Sequence, residues 1–474
     1  MIAGASGFVG THLRNRLQDD FNIRALTRSS AVTKQPSDQS NTNWHQCDLY
    51  SLPKVAEAME GCDYGIYLVH SMAPSSRLVQ ASFEDTDLLL ADNFIRAAEA
   101  AGLKHIIYLG GLMPEDVNNL SPHLKSRREV EHVLRSSTVT VTVLRAGLIV
   151  GPGGSSFRML INLVRRLPLM ILPAWTRSMT HSIDIENVCE AFELCLSDAE
   201  LPGGCYDLAG HEPLTYRALI LNTGKLIGKR VHTLDVPGNF FGLSKRWVSV
   251  FGNVSMDLAS PLLESLRHDL KATPNSLLEK LTPRLISFDE SIKRSIDPEG
   301  KPHTNPRSAT KSSDARTVKK LCKVLSVQRM RLNSEIDAHE ISREYGRWLT
   351  KAFRGLLRVE QADDSVIRFV LIGGFSLLEL TPTPYTIADK RRCAFYISGG
   401  ILSRKVEPMG RLEFRVFPRL NCLVASIHGY SPTLPWILYR HTQAIIHLMV
   451  MRSFAKHLEK LSIINPPQAA QPNP

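Results

Sequence analysis

Gly4-Ala5-Ser6-Gly7-Phe8-Val9-Gly10 is the stretch that decides the fold of the first half of this 474-residue chain. Three glycines spaced three apart suit a strand that turns straight into a helix. The first allows the tight turn, the second lets backbone approach a pyrophosphate, and the third lets helix and strand pack closely. Backbone N–H groups at the start of the following helix then face the anion. Gly4, Ser6, Gly7, Phe8, Val9 and Gly10 are therefore candidate cofactor contacts. Only Met1, Ile2 and Ala3 precede Gly4, against roughly five residues for an ordinary strand. Either the first strand is stunted or the true start lies upstream.

Outward from this turn, short apolar runs alternate with helical patterns to about residue 150. Strands are predicted at Ile23 to Leu26, Tyr64 to Val69, His105 to Leu109 and Val139 to Leu144. Between them, helices are predicted at Thr11 to Gln18, Leu52 to Met59, Asp85 to Ala101 and Leu124 to Arg135. This rhythm implies an α/β fold, a Rossmann-type doubly wound parallel sheet. Residues 1–298 form this domain with its lid, the lid mostly at 151–180 and 210–298, and a last sheet strand falls near Tyr206. Residues 299–320 hold two Pro and six Lys or Arg against two acids, a basic linker. Residues 321–464 read as an α+β domain. Period-two stretches at Val366 to Ile372, Ser376 to Thr381, Arg392 to Ile397, Arg411 to Val416 and Leu423 to His428 give an antiparallel sheet, and one long C-terminal helix, largely buried, runs from about Leu434 to Leu461. Residues 465–474 are a polar tail.

Composition narrows the function. Hydrophobic residues make up 43% and charged residues 22%, as in globular proteins, and the net charge of +11 favours anionic company. The eight cysteines form no C-x-x-C pair and no zinc spacing; they read as buried thiols of a reducing compartment. No leading signal segment and no apolar run near 18 residues occurs, so the expected location is cytoplasmic. Lys390, Arg391, Arg392, Arg404 and Lys405 suit anionic headgroups, nucleic acid or, as such charges usually are, a plain solvated face. No nucleic-acid reading module is recognisable.

Two side chains fall where the adenosine half of a dinucleotide needs them. Arg28 closes the second strand, where a carboxylate selects NAD; a guanidinium suits the 2′-phosphate of NADP. Asp48, with Leu49, ends the third strand, where a carboxylate accepts from adenine; it reads equally well as a helix N-cap. His70 and Ser71 follow the fourth strand at the ligand-binding edge. NADP(H) is thus the expected cofactor, ahead of NAD.

Longer strings now carry a resemblance. Tyr67-Leu68-Val69-His70-Ser71-Met72, Tyr108-Leu109-Gly110-Gly111-Leu112, Ser121-Pro122-His123-Leu124-Lys125-Ser126-Arg127, Val141 to Gly151, Arg166 to Met170 and Ser182 to Val188 together resemble the atypical short-chain dehydrogenase/reductases of NmrA-like, YbjT-like type, over roughly residues 1–297. The resemblance implies an NAD(P)-binding Rossmann domain and a nominal oxidoreductase. Reductases of the parent superfamily use Tyr and Lys four apart on one helix, with Ser ending the preceding strand. His123 and Arg127 stand at the matching helical places, and Gly110 and Gly111 where the Ser belongs. His123 is the candidate acid and Arg127 the candidate ribose or phosphate contact. The C-terminal residues more loosely resemble START-like helix-grip domains, which implies an apolar ligand cavity. Two readings result: an NADP-dependent oxidoreductase for an apolar or carbonyl small molecule, or a non-catalytic NAD(P)H-binding sensor or assembly factor.

Overall fold

The structure is a computed structural model; it describes residues 1–29, 41–70, 78–167, 169–198, 201, 203–238, 241–252, 256–303, 323–332, 336–361, 366–384, 389–406 and 409–464. The chain forms two compact units. The first holds residues 1–72 and 87–310, the second 73–86 and 311–474. Most of the basic linker and the polar tail lie outside the described residues.

The first unit is built on seven parallel strands: β1 (Ile2–Ala3), β2 (Ile23–Thr27), β3 (Thr42–Gln46), β4 (Tyr64–Tyr67), β5 (His105–Gly111), β6 (Thr140–Ala146) and β7 (Gly204–Leu208). Their order across the sheet is β7-β6-β5-β4-β1-β2-β3. β1 has only two residues, yet it sits in mid-sheet, pairing Ile2 with Ala25 on one side and Ile66 on the other. Its shortness is compensated by burial: Ile2, Ala3 and Ala5 are all inaccessible core residues. Helix α1 (Phe8–Leu17) packs Leu13 and Leu17 into the same core as Ile107, Leu144 and Val188. Helices α2 (Pro122–Leu134) and α3 (Ile185–Ser197) follow β5 and precede β7. Residues 148–150, 179–184 and 213–215 form a small separate three-stranded sheet.

The second unit is an eight-stranded sheet. β8 (Val324–Arg331), β9 (Leu357–Gln361), β10 (Ile367–Leu371), β11 (Phe375–Pro382), β12 (Arg392–Gly399), β13 (Arg411–Phe417) and β14 (Cys422–Tyr430) lie in the order β9-β10-β11-β12-β13-β14-β8. The strand Leu78–Gln80 completes it beside β8. Helices α4 (Ala338–Ala352), α5 (Trp436–His441) and α6 (Gln443–Ile464) supply Ile341, Leu349, Tyr439, Met451 and Phe454 to one core with Phe395, Leu412 and Phe414 of the sheet.

Four expectations are corrected here. The single long final helix is broken at Thr442, which leaves helical geometry while its hydroxyl donates to the Leu438 carbonyl. Nor is its apolar stripe largely buried: Ile437, Leu438, Ile445, Ile446 and Met449 face outward, because only one side of each helix meets the sheet. The basic run at residues 390–392 is not one surface with Arg404 and Lys405. Arg392 is buried and bonded to Glu413 at 3.0 Å, and the two groups lie at opposite ends of β12. Among the described cysteines, Cys62 and Cys205 are half-buried, unlike Cys47, Cys189, Cys195, Cys393 and Cys422, which are buried.

Candidate functional site

Parallel register brings the candidate residues to one edge of the first sheet. Ile2 stands level with Ala25, so Gly4 is level with Thr27 and Arg28 lies one residue beyond. Thr27 pairs with Gln46, which sets Asp48 level with Ser29. Ala3 pairs with Tyr67 and Tyr67 with Tyr108, so His70 and Gly110 follow at the same carboxyl edge. This is the edge at which open α/β sheets hold ligands. Ser71 lies outside the described residues.

The glycine turn has the geometry its spacing demands. Gly4 has φ +86°, a left-handed conformation that disfavours any side chain, and a Cβ there would sit 3.1 Å from the Leu68 backbone. The Gly7 amide donates to the Gly4 carbonyl at 2.9 Å. At Gly10 a Cβ would lie 2.7 Å from Ala5 Cα, so only glycine lets α1 rest on the turn. Gly7 is the N-cap of α1 and caps it with no side chain, which leaves the first-turn N–H groups for an anion. Arg14 holds the turn from behind, donating to the Ala5 carbonyl at 3.1 Å while stacking 4.6 Å from the Trp44 ring.

A second layer closes on the turn that sequence reading missed. His12, one helical turn on, is 3.4 Å from Glu186 at the start of α3 and 3.1 Å from the Pro152 carbonyl. Burial opposes its charge, but the hydrogen bond to Glu186 and the Pro152 carbonyl raise its pKa overall. A Cβ on Gly151 would press on Ile185 at 2.8 Å and Phe8 at 3.2 Å. The signal was the Gly151-Pro152-Gly153-Gly154 string, whose glycines mark close approach without naming the partner.

Arg28 is exposed, as a phosphate contact must be, and its carbonyl accepts from the Gln46 amide at 3.3 Å. Asp48 is half-buried and its carboxylate accepts from the Tyr50 amide at 3.2 Å, while Leu49 is buried and its carbonyl accepts from Asn93 at 2.7 Å. The N-cap of the following helix is Ser51, not Asp48. His70 is exposed at the edge.

His123 and Arg127 part company. Ser121 caps α2, accepting from Leu124 at 3.3 Å, so His123 is not the cap. Burial, helped by the Arg127 guanidinium, pushes the His123 imidazole down to about 3. That shift favours the neutral imidazole at neutral pH, so His123 is better suited to donate a hydrogen bond than to act as a charged acid. Arg127 is buried among Tyr108, Asp87 and Tyr67. The Tyr108 hydroxyl donates to the Arg127 carbonyl at 3.3 Å, and burial pushes this phenol up to about 12. Ser126 donates to Asp87 at 3.2 Å. Arg127 is a countercharge inside this cluster. Gly111 sits against α2, where a Cβ would make ordinary contacts at 3.9 Å with Arg127 and Leu124.

A cavity of about 380 Å³ opens elsewhere in the unit, lined by Asp184, His211, Glu212, Ser287 and Asp289 among others. Three carboxylates line it, of which Asp184 caps α3 and lies 4.0 Å from Arg294.

Residues 4–160 match the family model described as NAD(P)H-binding. This stretch is an NAD(P)H-binding domain. The chain is 30% identical over 111 residues to the auxiliary protein GraX of Staphylococcus aureus, 23% of this chain and 36% of that protein. It thus spans about a third of the length of that relative. It is 22% identical over 263 residues to an N-acetyl-alpha-D-glucosaminyl-diphospho-ditrans,octacis-undecaprenol 4-epimerase of Escherichia coli O157:H7, 50% of this chain and 75% of that enzyme. A solved nucleoside-diphosphate-sugar epimerase from Staphylococcus aureus superposes with a TM-score of 0.50 at 18% identity, over 62% of this chain and 99% of its own. That likeness shows the Rossmann-type fold. Among the described residues no helix is long and apolar enough to cross a membrane.

Proposed function

We propose that this chain is an atypical short-chain reductase that binds NADP(H) in preference to NAD(H) and reduces a conjugated carbonyl compound. The observation that carries the cofactor preference is the exposed Arg28 guanidinium at the sheet edge one residue beyond the level of Gly4. Arg28 meets the 2′-phosphate, the α1 N-terminus takes the pyrophosphate, and Asp48 receives the adenine amine. The nicotinamide, when bound, supplies the hydride.

The substrate class follows from what replaces the acid. Reducing an isolated ketone leaves an alkoxide, which needs the proton that a Tyr-Lys pair delivers. Reducing an enone or quinone leaves a much weaker base that needs only a hydrogen-bond donor. A neutral His123 imidazole at the start of α2 is such a donor, in the manner of electrophilic neutral histidines at helix N-termini. The buried Arg127 favours the second reading, a cofactor-binding sensor, since the cation expected to hold the ribose lies among Asp87, Tyr67 and Tyr108 instead.

Calorimetric titration with NADPH and NADH tests the cofactor assignment. NADPH is expected to bind more tightly, and Arg28→Glu to weaken it about 10- to 100-fold, the worth of a charge-assisted phosphate contact, with the preference reversed. Equal affinities in the parent protein would sink the Arg28 assignment. A quinone and enone screen following NADPH absorbance then decides the activity; binding without turnover selects the sensor.

A further inference from the structure

The second unit presents an apolar rim with no carboxylate along its described turns, and we propose that this rim docks the protein on an anionic lipid bilayer. The inference does not rest on the reductase reading.

All the elements involved end at one side of the sheet. Leu356 precedes β9, residues 372–374 join β10 to β11, residues 400–410 join β12 to β13, and α5 follows β14. Backbone hydrogen bonds lock these tips together. Ile372 donates to Leu356 at 3.0 Å, Ile401 to Ser376 at 2.9 Å, Thr433 to Leu402 at 3.1 Å and Arg404 to Ser431 at 2.9 Å. On this rim Leu356, Ile372, Phe375, Ile401, Ile437 and Leu438 are 53 to 74% exposed. Scattered exposed leucines need no explanation, but six on tips hydrogen-bonded in series do.

Along the turns themselves the charge has one sign, while within the sheet Glu379 on β11 lies against Gly399 and 3.7 Å from Arg368. The stretches 351–358, 370–378, 399–406 and 430–442 hold Lys351, Arg354, Arg358, Arg404, Lys405 and Arg440, and no Asp or Glu. The next acid in the third turn, Glu407, lies outside the described residues. From residue 414 to 458 the sequence has no acid at all. Apolar tips inside a ring of cations match the layered chemistry of a membrane surface, acyl chains beneath anionic headgroups. A protein partner would more often meet a rim of mixed charge. Gly373 and Gly374, at φ +100° and +85°, let Ile372 and Phe375 project from a tight turn.

The test uses the full chain in flotation with vesicles of phosphatidylcholine alone and of phosphatidylcholine with about one-third phosphatidylglycerol. The protein is expected to float with the anionic vesicles and several-fold less with the neutral ones. Ile372→Asp with Ile437→Asp should cut partition about 10-fold or more, since two apolar insertions become charged. Arg404→Glu with Arg440→Glu should lower it on anionic vesicles about 5-fold or more per residue. Circular dichroism and the unfolding midpoint confirm folding; if the aspartate variant unfolds, the arginine variant carries the test. Parent protein that ignores both vesicle types, or variants that float like the parent, would overturn the proposal. So would a concentration-dependent dimer in sedimentation velocity that Ile372→Asp with Ile437→Asp dissolves, because the rim would then be a self-contact.

Discussion

Replacing Gly10 by alanine puts the glycine-turn argument at risk in one step. In an ordinary helix this change stabilises by about 1 kcal/mol, because glycine is the poorer helix former. Here the added Cβ lands against the Gly4 carbonyl oxygen, 2.7 Å from Ala5 Cα and 2.8 Å from the Ala5 carbonyl carbon. Carbon atoms pack best at about 3.5–4.0 Å, so α1 must retreat by roughly 0.8 Å or more. None of those atoms is the end of a flexible side chain, and Ala3 and Ala5, fully buried on the other side, leave the turn no room to yield. Overpacking of this kind costs about 1–3 kcal/mol, so the sign of the substitution reverses. For a unit of this size that is a fall of about 2–4 °C per kcal/mol in its unfolding midpoint. The retreat also withdraws the α1 N–H groups from the phosphate, and each charge-assisted bond is worth about 1.5–3 kcal/mol. Loss of one lowers NADPH affinity about 10- to 100-fold. Scanning calorimetry and NADPH titration read both effects. Gly7→Ala is the control for the stability effect alone, since its Cβ meets only the Gly4 carbonyl, at 3.2 Å. A Gly10→Ala protein as stable as the parent that binds NADPH within twofold would refute the reasoning.

Two further perturbations follow from buried charge. His123 has its folded pKa pushed far below the ordinary histidine value, so the unfolded chain binds its proton first. Its contribution to stability is intact above about pH 6.5 and is lost as the pH falls from there towards 3. NMR should find the His123 ring neutral at pH 5, and His123→Gln should flatten the acid limb of the stability curve; a ring titrating near 6.5 would contradict its burial. In the second unit, burial works against Glu413, but Arg415, Arg392 and Arg411 hold its carboxyl well below the usual range, with contacts of 2.5 and 3.0 Å to Arg415 and Arg392. Glu413→Gln strands those guanidiniums in the sheet and should cost about 3–5 kcal/mol in the unfolding of that unit; a denaturation midpoint within error of the parent would mean the arginines are neutralised by other groups.

The parts of the fold that were legible are those with a local signal. The glycine spacing located β1 and α1, and the alternation of apolar runs with helical stretches located the strands from β2 to β7 apart from β3, which was placed only by its end near Asp48 because Thr42–Gln46, with Trp44 its one apolar residue, carries no apolar run. What was illegible depends on partners distant in sequence. Leu78–Gln80 belongs to the second unit because it pairs with Val324–Ser326, and three residues hold no periodicity that announces a partner so far along the chain. Arg392 reads as surface because arginines usually are; only Glu413 on the neighbouring strand makes its burial tolerable. The outward Ile437 and Ile445 defeat the rule that a broad apolar stripe is buried, since the break at Thr442 gives α5 and α6 separate axes.

The fate of the helical pair at 123 and 127 shows why a site cannot be carried over as a pattern. In the reductases that this chain resembles, the cation matters because it lowers the pKa of a phenol one turn away. Here the side chain at 123 is an imidazole, whose pKa is lowered first by burial, and a cation beside it adds to that by driving its proton off. The charge at 127 is retained for a different reason. Asp87 is 2% exposed beneath α2 and its carboxylate acts on Tyr67, Tyr108 and Arg127 together. A neutral residue at 127 would leave Asp87 one cation short in a low-dielectric interior. Two phenols line that cluster, both raised by burial, and the Tyr67 hydroxyl is buried with no hydrogen-bond partner among the described residues. The cation and the aromatic hydroxyls of a reductase site are thus present in this region, but they face one another inside the protein, and the group left at the edge is a neutral histidine. On the proposed reductase reading, chemistry at that edge is of a kind that a hydrogen-bond donor, with no proton to give away, is enough to assist.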